Sequence, residues 1–527
     1  MTSKSYLARP DILLFTFCLS VYLLTMGGHL YSADNEIKGM IAEGIVERHS
    51  VSLPKTNMMY MTPGRDGLSY SYFALGSSLT MIPFYLIGDA ASALAPQIPR
   101  SIILEFCYSF INSLVTALTC TVLFLICRSL GYGTKTAIVT SLIYGFATIA
   151  WPYAKTTWSE PQSLLCVLAS FLCLLKFRSK DRWFWLSISG TLLGYGITTR
   201  SEMGLFLFVF SGFILFSLWH RNRRIANIAK AGLFYGIPLA FFGFINLYYN
   251  YLRFEDWLNF GQLNSVEQHL GQTSPFWDSV EGFLVGTYQH LFSTGKGLLV
   301  FSPPILLFYW AIKRFRVKHP QVALVCIAIP VMFFISAGTS WQMTFMAWGE
   351  RYFVSLTPFL VLPLAALIED LVTNVSSYMK RSVFVLTGIG FLVQLLGVTV
   401  NFQATSDRLL SEGDKFDVQM LSYDPEYSPI LLNFKELITK IEQNGTAVNK
   451  DAYSASSVPG NLSGPPVANL DDLTTRQNIR FRTFDFWFSY MYASGIPLVI
   501  ILLPVAAMLT VICLSSWKLV QACEQLP

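Results

Sequence analysis

The chain has 527 residues, 53% of them hydrophobic and only 13% charged, about half the charged share of a usual soluble domain. The mean hydropathy is +0.48 and the formal net charge is +5. These values exclude a soluble enzyme, a disordered chain, a fibre and a nucleic-acid binder. They point to an all-α polytopic membrane protein, in which apolar runs of about 20 residues recur.

In chain order the runs fall near 12–30, 73–95, 104–127, 136–151, 161–177, 183–199, 203–219, 231–250, 298–314, 321–338, 353–372, 383–401 and 490–516. The first has no small-residue cleavage site and is read as a retained anchor. It is followed by YSADNEIKGMIAEGIVERHSVSLP, where Ile37, Met40, Ile41 and Ile45 recur at i, i+3, i+4 and i+8. That spacing predicts an amphipathic helix in the plane of the interface, with Lys38, Glu43, Glu47 and Arg48 on its other faces. Asp34 and Glu36 stand where the first span meets this helix. Two residues apart, they share no helical face and do not work side by side. On local sequence, Asp34 also reads as a helix N-cap and Glu36 as a charge favouring the helix dipole. Pro63-Gly64 and Asp66-Gly67 are turn signals, which makes Asp66 a turn residue.

The run 73–95 is rich in Gly76, Ser77, Ser78 and Thr80, is interrupted by Pro83 and carries Asp89. Basic clusters follow the first run's flank (Lys4, Arg9) and the later loops: Arg128/Lys135, Lys176–Arg182, Arg221–Lys230, Lys313–Lys318, Lys380/Arg381 and Lys518. The positive-inside rule places all of them on the cytoplasmic side only if one early run does not cross. The run 73–95 is the candidate for a helix on the outer face. This leaves about 12 transmembrane helices, with both termini inside. The outer loops are then 31–103, 152–160, 251–297 and 339–352. Residues 402–485, with the run SASSVPGNLSGPP, form a further outer segment of unassigned role. The expected organisation is a transmembrane catalytic module over 1–401, this segment over 402–485, and a final helix with cytoplasmic tail over 486–527. The nine cysteines form no CxxC pair and no metal spacing.

The outer loops carry the ionisable residues. WPYAKTTWSEP holds Lys155 and Glu160 beside Trp151 and Trp158, and TTRSE holds Arg200 and Glu202. Arg253 and Lys296 flank the loop 251–297, where Gly295 and Gly297 let backbone amides approach an anion closely. Glu350 and Arg351 precede the next span. Charges at this depth are costly and usually face a cavity or a partner, with snorkelling to headgroups as the alternative. Cations and acids at one membrane level suit a site that takes a lipid phosphate from the bilayer and a polar group from outside. A phosphate needs Arg or Lys donors, and an attacking hydroxyl needs a carboxylate base within hydrogen-bond reach.

The retained first span, the acidic Asp34-x-Glu36 pair, a surface helix and a second surface segment resemble the GT-C superfamily of integral-membrane glycosyltransferases. These use polyprenyl-phosphate sugars and include protein O-mannosyltransferases and the aminoarabinose transferases of lipid A. The stretches DGLSYSYFALGSSLTMIPFYLIG, TIAWPYAKTTWSEPQ, GITTRSE, GLLVFSPP and WGERYFVSLTPFLVLPLAAL are similar to segments of bacterial and archaeal members. The resemblance covers roughly 10–400 and supports juxtamembrane helices in the first outer loop. It implies Asp34 as catalytic base and Glu36 as its supporting acid. It implies Arg200, Arg253, Lys296 and Arg351, and more weakly Lys155, as donor-phosphate ligands. Asp66, Glu160 and Glu350 belong to the acceptor side and its loops. The partners implied are a polyprenyl-phosphate sugar donor, a lipid, glycan or protein acceptor, and membrane lipids, with no nucleic acid. The reaction is a single displacement with inversion, with no cofactor required, although some members use a divalent cation at the acidic pair. The expected location is the plasma membrane of a prokaryote, with the site extracytoplasmic. The rival readings are a polysaccharide polymerase or ligase using lipid-linked glycans, and a lipid or sugar transporter. A transporter would place ionisable groups near the bilayer midplane rather than at outer span ends.

Overall fold

The structure, a computed structural model, describes residues 9–54, 61–220, 225–261, 280–337, 347–371, 376–402, 423–442, 479 and 483–525. The segment expected over 402–485 therefore falls mostly outside the described residues, as do Lys4 and Arg221 to Arg224.

The described residues are helical apart from one small hairpin. Helix α1 (Pro10–Thr25) begins on Pro10, whose missing N–H costs nothing in a first turn. The amphipathic helix expected after it is α2 (Ala33–Glu47), with Ile37 and Ile41 fully buried. Strands β1 (Met61–Pro63) and β2 (Ser69–Ser71) pair antiparallel with Thr62 opposite Tyr70. They turn through Asp66 (φ 57°) and Gly67 (φ 67°), left-handed positions that suit an Asp-Gly pair. Next come α3 (Leu75–Leu94), α4 (Arg100–Ser129), α5 (Thr134–Ala147), α6 (Ala150–Lys155), α7 (Ser159–Lys180), α8 (Phe184–Thr199), α9 (Gly204–Trp219) and α10 (Ile225–Phe254). They are followed by α11 (Val280–Phe292), α12 (Leu298–Phe301), α13 (Phe308–Lys318), α14 (Pro320–Ala337), α15 (Thr357–Val361), α16 (Leu364–Asp370), α17 (Ser377–Thr399), α18 (Pro429–Glu442), α19 (Trp487–Ala493) and α20 (Leu498–Gln525).

Among the described residues, seven segments are long and apolar enough to cross a membrane: 100–129, 159–180, 201–219, 225–254, 351–370, 377–399 and 498–524. The other five of the twelve expected spans are shorter or broken helices. The run 298–314 is the clearest case. Pro303 and Pro304 lack amide donors and crowd the preceding turn, so α12 ends at Phe301 and a 3₁₀ turn over 303–307 leads into α13. The freed hydroxyl of Ser302 accepts from the Ile149 amide at 3.1 Å. The run 353–372 is divided in the same way, with Pro363 between α15 and α16.

One large apolar core joins α1, α4–α7, α9 and the segments from α12 to α17. Two smaller clusters seat the surface helices. Ala42, Met81, Tyr85, Leu104 and Tyr108 pack α2 and α3 on α4, and Ile37, Ile41 and Leu53 close the other side of α2. Arg100 fastens the end of α2 by pairing with Glu43 (2.9 Å), Glu47 (3.0 Å) and Asp89 (2.9 Å). Helix α8 lies so close to α10 that a β-carbon on Gly190 would overlap the Tyr235 carbonyl. Gly190→Ala is expected to part the two helices at a cost of about 1–3 kcal/mol. A thermal midpoint unchanged in detergent would show that the helices separate freely.

Candidate active site

The N-cap position of α2 is Ser32 rather than Asp34, although the Ser32 side chain makes no hydrogen bond to the helix. Ser32 has extended backbone (φ −157°), and its hydroxyl accepts from Trp158 Nε1 at 2.7 Å. Asp34 therefore sits inside the helix and its carboxylate is free to look outward. It accepts from Arg351 Nη2 at 3.1 Å across 317 residues of chain. Glu160 lies in the first turn of α7, where the helix dipole favours an acid. Its side chain is fully buried, and its Oε1 accepts from both Arg351 Nε (2.5 Å) and Arg200 Nη1 (2.6 Å). Arg200 in turn donates to Glu202 at 2.8 Å. The guanidinium of Arg351 also stacks on Trp158, 4.3 Å from the ring centre.

The result is a row of alternating charge, Asp34–Arg351–Glu160–Arg200–Glu202, assembled from α2, the start of α7, the end of α8 and the residue after Glu350. Burial lowers the pKa of Arg200, but Glu160 and Glu202 outweigh it and leave the pKa above its ordinary value. Glu160 is the buried centre of the row, Asp34, Arg351 and Arg200 are half-buried and Glu202 is exposed, and charges at this depth are sustained because each meets its opposite. Several buried polar atoms around it are unpartnered: Glu160 Oε2, both side-chain polar atoms of Asn35, and the hydroxyls of Tyr153 and Thr157. Groups of this kind are nearly always hydrogen-bonded, to water or ligand if not to protein.

Lys38 changes most between sequence and structure. The helical pattern puts it on a polar face, yet it is 2% exposed, because α2 is covered on both flanks. It lies one turn after Asp34 on the same face and holds its ammonium over the Phe73 ring at 4.8 Å. Among the described residues it makes no hydrogen bond or ion pair. Burial pulls its pKa down to about 8, with Asp34 opposing, Arg351 assisting and Glu160 opposing. The i, i+4 spacing from Asp34 is the sequence signal that would have brought Lys38 to the site.

Glu350 points away from Arg351, its neighbour in sequence, into a second buried group. His290 Nδ1 donates to its Oε2 at 2.6 Å, Lys296 Nζ stands 3.9 Å from the same oxygen, and Oε1 has no partner among the described residues. The remaining predicted residues lie elsewhere. Lys155 is buried against Asp485 at 2.8 Å. Arg253 is buried under the hairpin, donating to the Ser71 carbonyl (2.5 Å) and Asn250 (2.7 Å) and stacking on Tyr249. Asp66 is an exposed turn residue, 3.5 Å from Arg65. Glu36 is exposed on a different face of α2 from Asp34. Asp485, His29 and His290 are the polar residues that sequence reasoning missed.

The structure thus unites Asp34, Glu160, Arg200 and Arg351, puts Glu350 and Lys296 in an adjoining group, and sends Lys155, Arg253 and Asp66 to other places. Residues 104–249, which include Glu160 and Arg200, match the family model described as dolichyl-phosphate-mannose-protein mannosyltransferase. No curated protein matches the chain. Among solved structures, the chain is similar to ArnT from Cupriavidus metallidurans bound to undecaprenyl phosphate. The identity is 13%, the match covers 90% of this chain and 84% of that one, and the TM-score is 0.45. It is also similar to the archaeal oligosaccharyltransferase AglB from Archaeoglobus fulgidus in complex with an inhibitory peptide and a dolichol-phosphate. There the identity is 12%, the coverage 79% of this chain and 59% of that one, and the TM-score 0.47.

Proposed function

We propose that the protein is an inverting glycosyltransferase of the GT-C type. It moves a sugar from a polyprenyl-phosphate donor to a hydroxyl of a lipid, glycan or protein acceptor on the extracytoplasmic face of a prokaryotic plasma membrane. The observation that carries this reading is the pairing of Asp34 with Arg351 at the start of the surface helix, with the buried Lys38, which makes no ion pair among the described residues, one turn further on. The family match over 104–249 supports it.

The chemistry follows from the charges. The acceptor oxygen attacks the anomeric carbon from the face opposite the phosphate. Its proton passes to Asp34 and the bond from carbon to phosphate oxygen breaks, leaving polyprenyl phosphate. Phosphate leaves readily when fixed cations meet the charge it develops. Lys38 is the cation beside Asp34 with no acid hydrogen-bonded to it, so it takes the phosphate first. Arg351 then shares its guanidinium between phosphate and Glu160. This loosens its hold on Asp34 and leaves that carboxylate oxygen open to the acceptor's proton.

The test is turnover of purified protein in lipid nanodiscs supplied with a panel of polyprenyl-phosphate sugars, read as release of polyprenyl phosphate. If no member of the panel turns over while a lipid-diphosphate glycan does, the polymerase or ligase reading replaces this one.

Lys38→Met is expected to raise the KM for donor about tenfold or more, since a charge-assisted hydrogen bond to phosphate is lost. In the native protein, donor affinity should be full below pH 8 and fall as pH rises through about 8, where the buried ammonium gives up its proton. Because that proton is held less tightly when folded than when unfolded, the donor-free protein should gain stability as pH rises above 8. Donor binding titrated between pH 6.5 and 9.5 checks the sign. A flat profile removes Lys38 from the phosphate site.

A further inference from the structure

We infer that Lys155 and Asp485 form a buried fastening that positions Asp34 and Glu160, by tying both ends of the outer segment after α17 to the two stretches of chain that carry those acids. The kinetic part of this inference rests on the glycosyltransferase reading; the structural part does not.

The fastening is made of short polar contacts with almost no solvent. Lys155 is 1% exposed and Asp485 is fully buried. Lys155 Nζ uses its three donors on the Val398 carbonyl (2.5 Å), the Asp485 carbonyl (2.6 Å) and Asp485 Oδ2 (2.8 Å). The Asp485 carboxylate also accepts from Tyr31 Oη (2.7 Å), Tyr490 Oη (2.5 Å) and His29 Nε2 (3.1 Å). Burial would raise the Asp485 pKa, but Lys155 and His29 outweigh it and hold the carboxyl well below the usual carboxylate range. The group is ionised and its oxygens are saturated.

Its neighbours give it a direction. The Asp485 amide donates to the Thr399 carbonyl at 2.9 Å, so the point where the chain leaves α17 and the point where it returns lie side by side. The returning chain is further held by Trp487, whose amide donates to Met26 (2.9 Å) and whose Nε1 donates to Leu23 (3.0 Å). On the other side, Tyr31 is followed by Ser32, which stands at the N-cap position of α2 and accepts from Trp158, and then by Asp34. Lys155 leads through Trp158 to Glu160. The Phe402 ring stacks on Tyr31 (5.6 Å between centres) and lies 6.0 Å from Trp158. One carboxylate is therefore bonded to residues a few positions before two of the row's three acids, Asp34 and Glu160. An apolar plug would stabilise this junction about as well as an ion pair. What the carboxylate adds is a fixed geometry for four donors arriving from three stretches of chain, the α1–α2 connection, α6 and α19.

The experiment compares full-length Lys155→Met/Asp485→Asn, which leaves no lone buried charge, and Tyr31→Phe, which removes one donor and keeps the ring. The readouts are thermal unfolding, hydrogen exchange over 30–36 and 156–162, and the kcat and KM for donor. The double variant is expected to keep most of the native thermal midpoint. Its exchange over both stretches should rise by about tenfold or more, and its kcat should fall by about tenfold with KM within about threefold. Tyr31→Phe should show the same pattern more weakly, and decides the matter if the double variant does not fold. Native exchange in either folded variant would overturn the inference, reducing the cluster to a plug. If no polyprenyl-phosphate sugar is turned over by the native protein, the functional reading has failed and the exchange data still decide this one.

Discussion

Asp34→Asn is expected to lower kcat for glycosyl transfer by roughly 100- to 10,000-fold, the range over which a positioned general base acts. Asparagine matches aspartate in shape, and its carbonyl oxygen still accepts from Arg351 Nη2, so the row and the start of α2 should keep their places. What it loses is the capacity to take the acceptor's proton. The substitution therefore separates chemistry from folding, and single-turnover transfer with donor already bound is the direct measurement. The KM for donor should change little, because the phosphate is held by cations. A variant with near-native single-turnover rates would show that the proton goes elsewhere, and the single-displacement mechanism with Asp34 as base would have to be abandoned.

The largest expected loss of stability comes from Glu160→Gln. One carboxylate oxygen serves two guanidiniums, and the side chain is fully buried. Without its charge, the half-buried Arg200 and Arg351 remain side by side and repel one another, with Asp34 and Glu202 left to compensate them from the two ends. Removing one partner from a buried ion pair typically costs about 3–5 kcal/mol, because the orphaned charge cannot regain water. Glu202 is the control. Its side chain is 44% exposed, and Glu202→Gln should cost about 1 kcal/mol or less. Unfolding midpoints of the two variants in the same detergent test the contrast. Equal midpoints would mean that water reaches Glu160 and that the row is a solvated surface feature.

Much of the architecture was readable in advance. The apolar runs mark out the helices, the i, i+3, i+4 pattern marks α2, and the Asp-Gly pair marks the hairpin turn, because each depends on residues within a few positions of one another. The site was legible only in part. Arg200, Glu160 and Arg351 stood out as ionisable groups at span ends, where burial is costly enough to need a reason. Lys155 and Arg253 stood out for the same cause and went to other places, Lys155 to Asp485 and Arg253 to the hairpin carbonyls. Charge at a span end announces that a partner exists without saying which. Lys38 escaped notice for the opposite reason: the pattern of α2 showed one apolar face, and only packing against α3, α4 and the hairpin buried the rest.

The sequence by itself determined the solvent each segment prefers and the period at which its backbone hydrogen bonds close, and hence a helical membrane protein with an acidic first turn on its surface helix. Only the tertiary structure decided which cation meets which acid. That choice is made between residues hundreds of positions apart, where all arginines are chemically alike. Helix packing brings Arg351, and not Arg253 or Lys155, within hydrogen-bond distance of Asp34.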